Sequence, residues 1–95
     1  MLIAVQPVVN LFMPMTKPEL EQKEAEIFKF FCGANRSVST QEILQAAKLN
    51  ANETAYFIGE LCKKGWIRAD LVASSNAGGD YWKLGEAGLK KMMEG

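Results

Sequence analysis

Apolar residues recur three and four positions apart along most of this chain, then give way to strand-type clusters in its last third. Leu20, Ile27, Phe31 and Ala34 keep helical spacing, widened by Phe28 and Phe30. The charged positions among them (Lys17, Glu19, Glu21, Lys23, Glu24, Glu26, Lys29) alternate in sign, as on a solvated face. Thr16 as cap, Pro18 in the first turn and Glu19 completing a capping box mark the start, and Gly33 to Asn35 stop the run. A first helix is therefore predicted over about residues 17 to 33. Ser39 and Glu42 form a second capping box ahead of Ile43, Leu44 and Ala47, which predicts a second helix over about residues 40 to 47. Lys48 to Ala51 reads as a turn with Leu49 plugging the core. Asn52 then caps a third helix over about residues 53 to 64, with Thr54, Ala55, Ile58, Leu61 and Cys62 inward.

Gly65 ends that helix, and the pattern switches abruptly. Residues 66 to 73 and 80 to 84 are predicted as two strands, with the small, turn-prone run Ser74-Ser75-Asn76-Ala77-Gly78-Gly79 as a hairpin tip. A short last helix follows over residues 85 to 94, with Leu89 and Met92 or Met93 facing in. At the other end, Met1 to Met15 is an apolar arm interrupted by Pro7 and Pro14. It lacks a basic n-region and a small-residue cleavage site and is too short to span a bilayer as a helix, so no signal peptide or membrane anchor is expected. Its Val and Ile content predicts an extended segment that something must cover. The organisation expected is an arm over residues 1–15 and one domain over residues 16–95.

Composition changes the picture in two ways. The chain has 95 residues, 48% hydrophobic and 23% charged, which fits an ordinary globule with a single core. Its eleven basic and eleven acidic residues cancel, so it lacks the cationic excess by which most DNA readers gain affinity. With no histidine and only Cys32 and Cys62, it is short of the four ligands of a structural zinc site, and no metal or cofactor is expected. Both cysteines fall among apolar helical residues and read as small buried hydrophobes rather than a redox pair, in keeping with a cytoplasmic location. There is no phosphate-binding glycine loop and no nucleophile elbow, and the carboxylates are scattered, so an enzyme is not expected.

Two local runs point further. Leu61, Lys64, Gly65 and Ile67 match the Leu-x-x-(Lys)-Gly-hydrophobic-hydrophobic run that ends many recognition helices. Tyr81, Leu84 and Gly88 match a Tyr-x-Leu-Thr-x-x-Gly run common after wings, with Trp82 inserted and Gly85 where Thr is usual. On these residues the chain resembles the winged helix-turn-helix superfamily over about residues 17 to 94. The resemblance implies an α+β, mostly α fold: a three-helix core, a two-stranded β-hairpin wing and a short C-terminal helix. It also implies a transcriptional regulator that inserts its third helix into the major groove of duplex DNA. A fainter similarity to Z-form nucleic-acid readers is set aside, because the Asn and Tyr positions of that family are Ala55 and Gly59 here.

Helical phase turns Asn52, Glu53, Tyr56, Glu60, Lys63 and Lys64 outward on the third helix, with Phe57 at the flank. For DNA contact, Asn52, Glu53 and Tyr56 are the candidates near bases, and Lys63, Lys64, Arg68 and Lys83 the candidates on phosphates. Arg36 and Lys48 are further cations, while the predicted hairpin tip has none. The competing reading of this face is a solvated, mixed-charge helix in which Glu60 supports Lys64 at the i,i+4 spacing. Tyr56 and Phe57 together point to a different class, a winged-helix module that docks a protein without binding DNA. The arm, with Phe28 and Phe30, either forms a homodimer contact or folds back over the first and last helices.

Overall fold

The computed structural model describes residues 15–94. Its elements in chain order are α1 (Lys17–Ala34), β1 (Val38–Ser39), α2 (Thr40–Ala47), α3 (Ala51–Lys63), β2 (Ile67–Ala69), α4 (Leu71–Ala77), β3 (Tyr81–Leu84) and α5 (Glu86–Glu94). The described residues form an α+β, mostly helical fold, with one three-stranded antiparallel sheet in the order β1-β3-β2. The arm expected over residues 1–15, and the dimer contact expected of it, lie outside the described residues, except for Met15, which packs half-buried against the core.

Capping boxes set the helix starts. At Thr16 and Ser39 each side chain accepts from the N–H three residues on, and Glu19 and Glu42 reach back to the cap N–H, both as expected. The third helix begins earlier than expected. Asn50, not Asn52, is its cap: the Asn50 side chain accepts from Glu53 N–H at 2.8 Å, and Glu53 accepts from Asn50 N–H at 3.0 Å. The Asn-x-x-Glu spacing is the capping-box signature, and it overrides the plain count of a polar residue next to a helix. Its far end closes with paired bonds, Trp66 N–H to Leu61 O at 3.1 Å and Gly65 N–H to Cys62 O at 3.0 Å, around Gly65 at φ +76°.

The core joins α1 (Ile27, Phe31), α2 (Ile43, Ala47), α3 (Phe57, Ile58, Leu61) and the sheet (Val38, Ile67), with Leu49 plugging the α2–α3 turn as expected. Phe57, expected at the flank of α3, has no exposed surface, and Ala55, expected inside, is exposed. The two exchange places because Glu53 and Phe57, four residues apart, share the inward face with Thr54, Ile58 and Leu61.

The hairpin differs most. Its first strand is only three residues long, and a helix, α4, stands where the rest of that strand and the loop were expected. Asp70 causes this: its Oδ1 accepts from Ala73 N–H at 3.1 Å as an N-cap, and Gly78 at φ +75° closes the other end. Ser74 ties α4 down by accepting from Tyr81 N–H at 2.8 Å. A third strand, Val38–Ser39, then pairs with β3, so the sheet has one strand more than expected. On α5, Leu89, Met92 and Met93 are exposed rather than inward, and Gly88 is the buried position.

Candidate nucleic-acid interface

The sheet sorts its side chains by the alternation of its strands. Val38 and Ala69 pair with Trp82 and Ile67 pairs with Leu84, so alternation puts these residues on one face, where Val38, Ile67, Trp82 and Leu84 pack on the core and Ala69, at the strand's end, is exposed. Arg68 stands directly opposite Lys83, and the pair occupies the other face. Like charges in such a register repel, and among the described residues neither enters an ion pair. Trp82 fixes the register from the inner side, its indole N–H donating to Thr40 Oγ1 at 2.8 Å.

The neighbouring acids are engaged elsewhere. Asp70 caps α4 and accepts from the Ser37 hydroxyl. Its carboxyl is held below the ordinary value mainly by that Ser37 bond, next by the Ala73 N–H, and to a smaller extent by the charge of Lys83. Arg36 is fully committed: its guanidinium makes a two-pronged pair with Glu42, at 3.2 and 2.9 Å. That pairing drives Glu42 down to about 2, helped by the Ser39 N–H, and raises Arg36 in turn.

No protein-family model matches the chain, no curated protein matches it, and no solved structure matches it.

The seven expected contact residues separate into three groups. Asn52, Tyr56 and Lys63 lie on the exposed side of α3, together with Ala51, Ala55 and Gly59. Tyr56 is 37% exposed and meets Phe57 edge-on at 5.2 Å. Arg68 and Lys83 form the cross-strand pair on the sheet. Glu53 and Lys64 belong to neither surface. Glu53 is only 8% exposed and is consumed by the cap, so its expected outward role is corrected. Lys64 turns toward α1, where its ammonium bonds Glu24 and lies 4.8 Å from the Trp66 ring centroid. The expected Glu60–Lys64 support is replaced by Glu60–Lys63, at 3.3 Å. Lys64 escapes the helical phase because it lies just past the last turn of α3, with φ −81° and ψ −9°.

Sequence reasoning named Arg68 and Lys83 but not their direct opposition, which depends on a register that the unforeseen α4 fixes. Cys32 and Cys62 are half-buried free thiols, and burial pushes both up. Among the described residues, no three or more of His, Cys, Asp and Glu group as a metal site, and no helix is long and apolar enough to cross a membrane.

Proposed function

We propose that this chain is a winged-helix-type domain that binds duplex DNA as a small transcriptional regulator. α2, the three-residue link Lys48–Asn50 and α3 act as its helix-turn-helix unit. The observation that carries the reading is the unpaired Arg68–Lys83 couple on the outer face of the sheet. Two cations held directly opposite each other repel, an effect that the charge of Asp70 near Lys83 offsets only in part, and an incoming phosphate relieves it. The exposed side of α3 supports it: Ala51, Ala55 and Gly59 keep that surface low, so the helix approaches a groove closely while Asn52 and Tyr56 project toward bases. Lys63 at the end of the helix adds a phosphate contact in exchange for its surface pair with Glu60.

The test is a salt series on duplex binding by the full chain and by Arg68→Ala/Lys83→Ala. Loss of two phosphate contacts makes the slope of log affinity against log salt shallower by about 2. An unchanged slope removes the pair from the interface, and no binding at low salt removes the reading itself.

A second reading, a protein-docking module, is favoured by one observation. Leu71 and Val72 are 76% and 72% exposed on α4, where the first strand of the wing was expected. It predicts that an amide-resolved titration with duplex leaves Asn52, Tyr56, Arg68 and Lys83 unmoved.

A further inference from the structure

The exposed side of α3 carries base-reading chemistry of one kind. Asn52 stands at the middle of that side, in the first turn, with Ala51 and Ala55 on the same surface. Gly59 continues the line two turns on, with open space where a Cβ would stand. The cap does not use Asn52, because Asn50 accepts from Glu53 N–H. Asn52 is also the only residue within α3 that bears a carboxamide.

In the major groove, guanine is read chiefly by Arg or Lys and cytosine by Glu or Asp. Adenine is read by Asn or Gln, and the thymine methyl by small apolar groups. The readers of G·C pairs are missing from this surface. α3 has no arginine, and its only lysine, Lys63, pairs with Glu60 at the far end of the helix. That end is about 16 Å along the axis from Asn52 at 1.5 Å per residue. Lys64 is turned to Glu24 and Trp66, and Lys48 lies outside α3, closing α2. Of the two carboxylates in α3, Glu53 faces inward in the cap and Glu60 holds Lys63.

We infer that α3 reads A·T pairs: the Asn52 carboxamide takes the N7 and N6 edge of an adenine, and the Ala55 methyl meets a thymine methyl on the neighbouring pair. The inference rests on the proposal that α3 enters the major groove. Adenine offers an acceptor at N7 and a donor at N6, which match the amide N–H and the carbonyl oxygen of Asn52. Asn52 and Ala55 are about 4.5 Å apart along the helix axis, comparable with a base-pair step of about 3.4 Å. A helix with its side chains is about 10–12 Å across and the groove about 12 Å wide. Ala51, Ala55 and Gly59 thin α3 on this side, so a side chain as short as Asn reaches the base edges.

Selection of duplexes from a random-sequence pool by the full chain, followed by base-analogue substitution in the selected site, tests this. The site is expected to hold adjacent A·T pairs. Replacing its adenines by 7-deazaadenine, which lacks N7, is expected to weaken wild-type binding about fivefold or more. The same replacement is expected to leave Asn52→Ala, a change at an exposed position, nearly unaffected. Uracil in place of thymine removes only the methyl and is expected to weaken both proteins severalfold. A selected site of G·C pairs overturns the inference. So does an A·T site at which 7-deazaadenine costs wild type nothing, which assigns the preference to groove shape. Salt-sensitive binding that selects no sequence overturns the inference and leaves the DNA-binding proposal standing, whereas no binding at low salt overturns both.

Discussion

The Trp66 carbonyl oxygen occupies the space a side chain on Gly88 needs: an ideal Cβ there falls 2.0 Å from it. Gly85 is in the same position against the Gly65 carbonyl, at 2.4 Å. The two backbone segments are also bonded, Gly85 N–H to Trp66 O at 2.8 Å and Gly88 N–H to Gly65 O at 3.3 Å. The start of α5 thus lies flat on the turn that ends α3, and only glycine permits the approach.

This relationship reverses the usual sign of a helix substitution. In an open helix, Gly→Ala gains about 1 kcal/mol. Gly88→Ala is expected instead to lose about 1–3 kcal/mol, because backbone must move to admit the methyl group. Urea unfolding measures it, as a lower midpoint with unchanged slope. A midpoint equal to or above wild type would mean that α5 lifts off the turn at little cost.

The Trp82 indole bond to Thr40 joins β3 to the start of α2 across 42 residues of chain. Thr40→Val keeps the shape and removes the acceptor, so a half-buried donor loses its partner, at about 1 kcal/mol. Thr40→Ser retains the bond and is expected to stay closer to wild type. Thermal melts of the two variants, read against Trp fluorescence, compare them; identical losses would assign the effect to the methyl group instead.

Glu42 makes stability depend on acid. Its folded value of about 2 lies below the ordinary carboxylate range, so it contributes above that range and the contribution is lost as pH falls toward 2. Because its side chain is 36% exposed and Arg36 56%, solvent screening limits the effect to about 1 kcal/mol or less. Glu42→Gln is expected to flatten the acid side of a stability profile between about pH 4.5 and 2. A profile of unchanged steepness would place the acid sensitivity on other carboxylates, Asp70 first.

Sequence pattern carried the helices well and the sheet poorly, for physical reasons. Helix limits are written in local chemistry, as in Thr16 with Glu19 and Ser39 with Glu42, and even the misplaced cap of α3 stood in plain sight as Asn50 with Glu53. Strand pairing is not local. Val38–Ser39 is too short to show alternation, and it becomes a strand only because β3 lies beside it. Leu71 and Val72 read as strand by side-chain type, yet Asp70 offers the backbone a cap and neither residue has a core to fill. The candidate contacts failed in the same way: Glu53 and Lys64 were expected outward on α3, but one is taken by its own cap on the inward face and the other by Glu24, forty residues away in sequence.

Lys64 therefore separates stability from binding. Its partner Glu24 is 7% exposed, so Lys64→Ala leaves a nearly buried carboxylate without its cation and is expected to cost about 1–3 kcal/mol. Glu24→Gln in the same chain removes the stranded charge and is expected to recover part of that loss. On duplex DNA, Lys64→Ala should keep the salt slope of the wild type, since its ammonium faces α1 and Trp66. Lys83→Ala should do the opposite, with a slope shallower by about 1 and little change in unfolding midpoint. Arg68 is relieved of a repulsion while Asp70 loses a nearby cation, and the two changes oppose each other. A shallower slope in folded Lys64→Ala would return that lysine to the interface and require α1 to lie near the phosphates.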